Sequence, residues 1–482
     1  MSRAVRRPVP GWLLALGLLL AGCVVGPRYH PPGTPVSGQG GFVSANPQET
    51  ATLPLPPYWW RLYRDPILDR LVLEALAENQ DLKVAAANLA YAQGLLAEAR
   101  AGRYPTTQLT AGYGYGRDEI QTFAGEPAGF AFAGSFTASY DFDLFGRVRR
   151  TIEAAHTSLD ASLAAEDAVR VTVAAQTASA YADICGYAEQ VAVARDSLAV
   201  VQQTYDLTVA QRSAGTLSDF DVDRQAVLLD QARAAIPPLE GQRRVAVFTL
   251  AALIGKTPAE VPADAAGCRL PPRLTRPLPV GDGAALLRRR PDVRQAERQL
   301  AAATARIGVA TADLYPTVTF GVAGSNGAAN LGGLFKPATA TFEIGPLLSW
   351  SFPNILVAEA RVKETRAQAS SALASFDGVV LTALKETEQA LATYAAELDH
   401  HAQLAATRDS AAAALALAKV QYQAGTASAL DLLASEATFV DANSALATSD
   451  HALSTDQVAV FQALGGGWED APAVTPPAIP KH

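Results

Sequence analysis

Residues 130–142 read FAFAGSFTASYDF, and bulky and small side chains alternate along this stretch. The even positions carry the aromatic residues, which are Phe130, Phe132, Phe136, Tyr140 and Phe142. Successive side chains of a strand point to opposite faces, so the stretch predicts a strand with one apolar face and one small, polar face. This pattern is typical of a transmembrane β-barrel strand, although one such hairpin taken alone also suits a soluble sandwich.

The same alternation recurs elsewhere in the chain. Strands are predicted at about 106–117, 129–143, 316–325 and 338–352. Four strands cannot close a barrel, because the smallest barrels use about eight. A barrel would therefore require several chains to pool their strands.

Long helical stretches separate these strands. They are rich in Ala, Leu, Gln, Glu and Arg, and they cover residues 68–103, 147–212, 219–254, 284–314, 354–423 and 428–464. A continuous helix over 147–212 would be roughly 100 Å long. Two shorter helices placed end to end would match it, which predicts hairpins with one continuous and one composite arm. The apolar positions are mostly Ala, which suits lateral packing of many helices better than a two-stranded coiled coil.

The two halves of the chain repeat each other at an offset of 210 or 211 residues. Matched landmarks are Asp81 with Asp292, Tyr104-Pro105 with Tyr315-Pro316, Gly215 with Gly425, Asp221 with Asp431, and Gly255 with Gly465. So long a period indicates duplication of a whole structural half. The predicted repeats are 68–255 and 284–467, joined by a Pro-rich linker at 256–283 and followed by a tail at 468–482.

The N-terminus has the layout of a secretory signal peptide, with arginines before a short apolar core. Residues 20–23 read Leu-Ala-Gly-Cys and resemble a bacterial lipobox. The resemblance implies a signal peptide at 1–22, cleavage before Cys23, and a diacylglycerol and N-acyl chain on that cysteine. Position 24 is Val rather than the Asp of an inner-membrane retention signal, which implies delivery to the outer membrane. Residues 23–67 are then a lipidated, extended N-terminal segment.

Composition excludes several classes of function. The net charge is -8 and 7% of residues are aromatic, which argues against a nucleic-acid partner. No zinc, phosphate-loop or GxSxG motif occurs, so we expect no enzyme and no cofactor apart from the lipid. His400 and His401 are interpreted as a polar helix surface. Cys185 is interpreted as a small buried residue, while a Cys185–Cys268 bridge stays open.

The chain resembles the TolC-type outer-membrane efflux proteins over nearly its whole length, and specifically the lipoprotein branch that serves tripartite pumps. The resemblance rests on Cys23, Trp59-Trp60, Asp65-Pro66, Asp81-Leu82 and Pro291-Asp292-Val293 as helix starts, Tyr104-Pro105, Tyr315-Pro316, Asp143 to Arg147, and Gly465 to Trp468. It implies a mainly α-helical protomer with a transmembrane β-barrel part. Three such protomers would form a 12-stranded barrel, continued by a long periplasmic α-helical barrel.

Two matched turns, which we name the first tip (residues 213–218) and the second tip (residues 423–428), interrupt the helices farthest from the strands. Each glycine can end a helix, and Ser-x-x-Asp can start the next one as a capping box. The resemblance implies that the tips contact a periplasmic adaptor through Gly215, Thr216, Ser218, Gly425, Thr426 and Ser428. It also implies a pore constriction formed by Asp221, Tyr422 and Asp431.

The sequence departs from the best-known TolC pattern near the second tip. A second aspartate is expected at position 434 and a basic residue at 427, and both positions carry Ala. Arg212, Asp219 and Arg224 are close enough in sequence to substitute for the missing partners.

The expected protein is a passive, lipid-anchored channel in the Gram-negative outer membrane. As a homotrimer it would act with a periplasmic adaptor and a proton-driven inner-membrane pump of the RND type, and drugs or other small molecules would leave through it. Two alternatives are the outlet of a type I protein-secretion system and a non-conducting structural lipoprotein scaffold.

Overall fold

A computed structural model describes residues 24–116, 128–274, 276–350, 352 and 355–478. The predicted signal peptide and Cys23 lie outside the described residues. Helices dominate the described chain, and a single antiparallel sheet carries the long strands.

The helices are, in chain order, α1 Pro66–Glu78, α2 Gln80–Ala101, α3 Arg147–Ser213, α4 Asp219–Ala234, α5 Ile236–Leu253, α6 Ala263–Ala266, α7 Gly283–Arg289, α8 Pro291–Ala312, α9 Ile355–Gln423 and α10 Ala429–Ala463. Helices α3 and α9 are continuous over 67 and 69 residues. Both were predicted as single helices, and they match in the two halves of the chain.

Three predicted helices are each broken once, at Asn79, Ala235 and Arg290. Asn79 has an extended backbone, and its side chain accepts hydrogen bonds from the N–H groups of Asp81 and Leu82, which starts α2. The breaks at Ala235 and Arg290 directly precede segments that contain prolines in their first turn. Proline lacks the N–H donor of a helix interior, so it suits a helix start instead.

The strands are β1 Thr50–Ala51, β2 Thr106–Gly116, β3 Gly129–Asp141, β4 Leu278–Pro279, β5 Thr317–Ala328 and β6 Ala340–Ser349. A four-stranded antiparallel sheet has the order β2-β3-β5-β6. The pairing of β3 with β5, such as Tyr140 opposite Phe320, joins the two halves of the chain in one sheet. Within the described chain, β2 and β6 pair on one side only and leave two free sheet edges.

The chain divides into two compact units that cut across the sequence repeat. One unit contains the four-stranded sheet and comprises Met1–Pro32, Ala90–Ser162 and Ala296–Phe376. The other comprises Gly33–Leu89, Leu163–Gln295 and Asp377–His482 and contains both tips. Each unit therefore takes segments from both halves of the chain.

A buried aromatic cluster lies in the hydrophobic core of the unit that contains the tips. Trp59 and Trp60 are fully buried, and Trp59 stacks on Phe461 with ring centroids 4.7 Å apart. A side chain at Gly466 would lie 2.3 Å from a Leu55 methyl carbon, and Gly467 has a φ of +103° against the Trp59 ring. Close packing against Leu55 and the two tryptophans therefore explains Gly466 and Gly467, whereas Gly465 has a φ of +67° and packs against Arg290.

A disulfide joins Cys185 of α3 to Cys268 of the Pro-rich linker. The interpretation of Cys185 as a buried small residue was therefore incomplete, because its fully buried sulfur is covalently bonded. Spacing along the chain could not decide this, since the two residues are 83 positions apart and meet only in the folded chain. The bond ties the linker to the longest helix of the first half.

Candidate functional site

The two tips have the same backbone structure. Gly215 and Gly425 have φ values of +79° and +73°. The N–H of Thr216 donates to the Gln211 carbonyl at 3.0 Å, and the N–H of Gly215 donates to the Arg212 carbonyl at 2.9 Å. This pair of bonds is a Schellman motif, in which a left-handed glycine satisfies the last carbonyl groups of a helix.

The second tip repeats these bonds. The N–H of Thr426 donates to the Gln421 carbonyl at 2.9 Å, and the N–H of Gly425 donates to the Tyr422 carbonyl at 3.0 Å. Both glycines need the left-handed conformation, so their presence at matched positions has a structural cause.

Both predicted capping boxes are present. The Ser218 hydroxyl accepts from the Asp221 N–H at 3.3 Å, while Asp221 Oδ2 accepts from the Ser218 N–H at 3.1 Å. Ser428 and Asp431 form the same reciprocal pair at 3.2 and 3.0 Å. Hydrogen bonds from the serine side chain and backbone lower the pKa of both aspartates. Each carboxylate is therefore ionised at neutral pH.

Tyr422 differs from the aspartates because it is buried, with 9% of its surface exposed. Its hydroxyl donates to Gln211 Oε1 on α3, and its ring packs in a small cluster with Leu415, Ala418 and Leu432. Burial is the main cause that raises the pKa of Tyr422, and the charge of Asp221 raises it further. The side chain thus stays neutral and links α9 to α3.

The structure brings together two of the three predicted constriction residues. Asp221 and Tyr422 line one narrow cleft, together with Thr204 and Arg224. Asp431 is not among the described residues that line it. The two aspartates therefore have different surroundings in one protomer, although their capping geometry is the same.

The replacements suggested for the missing TolC residues have partners of their own. Arg212 pairs with Asp219 across the first tip, with Nη2 and Oδ1 2.7 Å apart. Arg224 lies over the Phe220 ring at 5.6 Å, and its charge contributes to the lowered pKa of Asp221. Ala427 packs against the cluster around Tyr422. A small residue at 427 thus serves packing at the position where a basic side chain was expected.

One side chain near the tips was missed by the sequence pattern. Glu436 of α10 is fully buried, and its carboxylate accepts from Thr204 of α3 and Gln225 of α4. A glutamate in a long helix is usually exposed, so its type and spacing carried no signal.

The segment that follows Cys23 is held at the end of β3. The N–H of Val25 donates to the Phe145 carbonyl at 3.2 Å, and Arg150 donates to the carbonyls of Val25 and Gly26 at 3.2 and 3.3 Å. Gly26 has a φ of +88°, and a side chain there would lie 2.5 Å from the Gly308 backbone. A backbone hydrogen bond, the Arg150 side chain and close packing at Gly26 therefore fix the residues that follow Cys23 within the unit that contains the sheet.

The described part of the chain has neither a membrane-spanning helix nor a metal-binding cluster of side chains. None of its helices combines the length and apolar character needed to span a membrane. None of its His, Cys, Asp and Glu side chains form a group of three or more that could hold a metal ion. His401 Nε2 instead lies 2.8 Å from Asp450 Oδ1, and His400 Nδ1 lies 3.4 Å from Glu397 Oε2.

Comparison with known proteins decides the family. The family described as "Outer membrane efflux protein" matches residues 71–256 and again residues 284–466. This chain belongs to the outer membrane efflux protein family. The TolC-type resemblance is thereby confirmed, and the family is one of transport channels.

Curated relatives match this efflux protein from end to end. Nodulation protein T of Rhizobium leguminosarum bv. viciae is 32% identical over 474 residues, which cover 96% of this chain and 94% of the relative. Outer membrane protein OprJ of Pseudomonas aeruginosa is 28% identical, with 97% and 98% of the two chains covered. The shared length includes both halves of the chain.

Solved structures agree with the fold. The outer-membrane channel OprN has a TM-score of 0.85 at 32% identity and covers 92% of this chain and 100% of its own. VceC from Vibrio cholerae has a TM-score of 0.77 at 26% identity, with 86% and 100% covered. The mainly helical fold with a β-barrel part is confirmed. This protein is an outer-membrane efflux channel of a Gram-negative cell.

Proposed function

We propose that this efflux channel is the passive exit duct of a tripartite system, in which an inner-membrane pump and a periplasmic adaptor deliver drugs or other small molecules to it. The main support is that β2 and β6 each pair on one side only among the described residues, in a protein of this family. A sheet of four strands must find partners to close, and further copies of the chain offer the same two edges. A homotrimer closes a barrel of twelve strands.

Related proteins support efflux over protein secretion. Those named for their role include an antibiotic efflux pump outer membrane protein, ArpC, and a solvent efflux pump outer membrane protein, SrpC, both from Pseudomonas putida and both 28% identical to this chain. The sequence contains no phosphate-loop motif, so a partner protein must supply the energy for transport. The proposed partner is a proton-driven pump of the RND type, reached through an adaptor at the two tips.

The geometry of the tip residues supports the roles that the family resemblance implies for them. Gly215, Thr216 and Ser218 of the first tip, and Gly425, Thr426 and Ser428 of the second, form two exposed turns of one shape. Two such turns per protomer offer repeated docking positions for an adaptor. Asp221, Tyr422 and Asp431 lie directly behind the turns and would constrict the pore in the trimer.

Two measurements test the proposed function. Purified trimers in planar lipid bilayers are expected to conduct ions, and a deletion strain is expected to become more susceptible to drugs while it still secretes proteins. A non-conducting trimer would favour a structural scaffold. Normal drug susceptibility with lost protein export would favour a type I secretion outlet.

Lipidation of Cys23 is proposed separately. The Cys23→Ala variant is expected to lose incorporation of labelled palmitate and to retain its signal peptide, because the thiol is the acceptor of the lipid. Val24→Asp is the matched control, since it should keep the label yet fractionate with the inner membrane. Undiminished labelling of Cys23→Ala would contradict the proposal.

A further inference from the structure

Glu436 connects three helices through one buried carboxyl group. Thr204 of α3 donates to its Oε1, and Gln225 Nε2 of α4 donates to its Oε2 at 3.1 Å. Glu436 is fully buried, and Thr204 and Gln225 are 6% and 4% exposed. Each oxygen of this α10 side chain thus holds a different helix of the other hairpin.

The charge of this carboxyl group has weak compensation. Within the described chain, no Lys or Arg forms an ion pair with Glu436, and the charged residue that acts on it is Lys419 of α9. Its bonded neighbours on α3 and α4 are the neutral Thr204 and Gln225. Burial raises the pKa of Glu436, and the two hydrogen bonds and Lys419 oppose this only in part. Burial between the helices therefore makes this group easier to protonate than an exposed glutamate.

The contact lies one turn behind the proposed constriction. Gln225 follows Asp221 by four residues on α4, and Glu436 follows Leu432 by four residues on α10. Residues four apart lie on one helix face. Leu432 packs against Tyr422, and Asp221 lines the same cleft as Tyr422. The contact of Glu436 with Gln225 therefore fixes the position of α4, which carries Asp221, relative to α10, which packs against Tyr422.

We propose that Glu436 is a positioning residue for the constriction, a latch between the two hairpins that holds when the carboxyl group is neutral and weakens when it is ionised. The inference rests on the proposed function of Asp221 and Tyr422 as a constriction. Thr204 suits both states, because a hydroxyl can donate to a carboxylate or accept from a protonated acid. The amide of Gln225 donates in either state. In this proposal the tips open as α10 separates from α3 and α4, and the latch opposes that separation.

The sign of the pH dependence follows from the raised pKa. Because the packed state binds the proton more tightly than the separated state, a fall in pH stabilises packing. Conductance of the wild-type trimer is expected to fall as the pH is lowered from neutral toward the ordinary carboxyl range of about 4 to 5. The pKa values of Asp221 and Asp431 are lowered, so these groups stay ionised over most of this range.

The test measures single-channel conductance of full-length trimers in planar bilayers across this pH range. Glu436→Gln mimics the neutral acid. It is expected to show, at every pH, the low conductance that the wild-type trimer shows at low pH. Glu436→Ala is expected to raise conductance several-fold without pH response. Ser435→Ala is the matched control on α10 and should behave as wild type, since within the described residues the Ser435 hydroxyl bonds only to the Asp431 carbonyl of its own helix.

Three results would overturn the latch. They are wild-type conductance of Glu436→Ala, a wild-type pH response of Glu436→Gln, and an altered conductance of Ser435→Ala equal to that of Glu436→Ala. If Glu436→Ala trimers do not assemble, Thr204→Val and Gln225→Leu each remove one partner and are expected to raise conductance. Parallel recordings of Asp221→Ala with Asp431→Ala separate the two proposals. If conductance changes in the aspartate variant but not in the Glu436 variants, the latch is rejected. If conductance does not change in the aspartate variant, the constriction is rejected.

Discussion

Replacement of Asp221 and Asp431 together by alanine is expected to raise single-channel conductance several-fold and to weaken cation preference. Both carboxylates are ionised at neutral pH because their serine partners lower their pKa values. Symmetry in a homotrimer would repeat each of them three times near the pore axis. A narrow ring of negative charge attracts cations and repels anions, and the bulk of the side chains narrows the passage. Conductance and reversal potential under a salt gradient measure the two effects.

The capping role of these aspartates requires its own control. Loss of the cap could also disturb the tip, because each aspartate bonds the N–H of Ser218 or Ser428. Ser218→Ala with Ser428→Ala removes the serine hydroxyls and keeps both carboxylates, so cation preference should be unchanged. Asp221→Asn together with Asp431→Asn keeps an acceptor for the cap and removes the charge, so cation preference should weaken as it does in the alanine variant. If the serine variants reproduce the effect of the alanine variants, capping rather than constriction explains it.

Replacement of Cys185 and Cys268 together by serine is expected to lower the free energy of unfolding by about 2–5 kcal/mol. The bond closes a loop with a sequence separation of 83 and thereby restricts the unfolded chain. It also fixes the Pro-rich linker to α3 at a fully buried position. Denaturant unfolding of the purified protein, with and without a reductant, measures the effect.

The reductant provides the matched comparison for the disulfide. Wild-type protein should become less stable in reductant, whereas the double serine variant should not change, because Cys23 is the one cysteine left to it and is proposed to carry lipid. The periplasm is an oxidising compartment in which such bonds persist. Equal stability of the wild-type protein in both conditions would contradict a structural role for the bond.

Local patterns determined the secondary structure near the tips and in the sheet. The alternation around Phe136 predicted β3, and the glycine and serine at 215 and 218 predicted a turn followed by a capped helix. Turns, helix caps and strand alternation depend on residues only a few positions apart, so the local sequence is enough to predict them. The breaks at Asn79 and Ala235 were missed because helix propensity is summed over a long window. Such a sum is little changed by a single residue that has an extended backbone or that precedes prolines.

Contacts between residues that are far apart in the sequence could not be predicted from local patterns. The Glu436 carboxyl group meets Gln225 although 211 residues separate them, and Cys185 meets Cys268 across 83. The environment of Asp221 and that of Asp431 also differ, because Asp221 lines the cleft with Tyr422 and Asp431 does not. The repeated sequence predicted the same capping box at both aspartates, and packing of one half against the other gave the two side chains different neighbours.

The sequence by itself determined the duplication, the strand and helix pattern, the two tips and the resemblance that comparison confirmed, because these are properties of residue order. Tertiary structure alone decided which side chains are buried together. It paired the two cysteines, assembled each compact unit from segments of both halves, and enclosed Glu436 between helices of the two hairpins. Burial changes the free energy of a charge and the meaning of a residue type, and it depends on neighbours that sequence order does not specify.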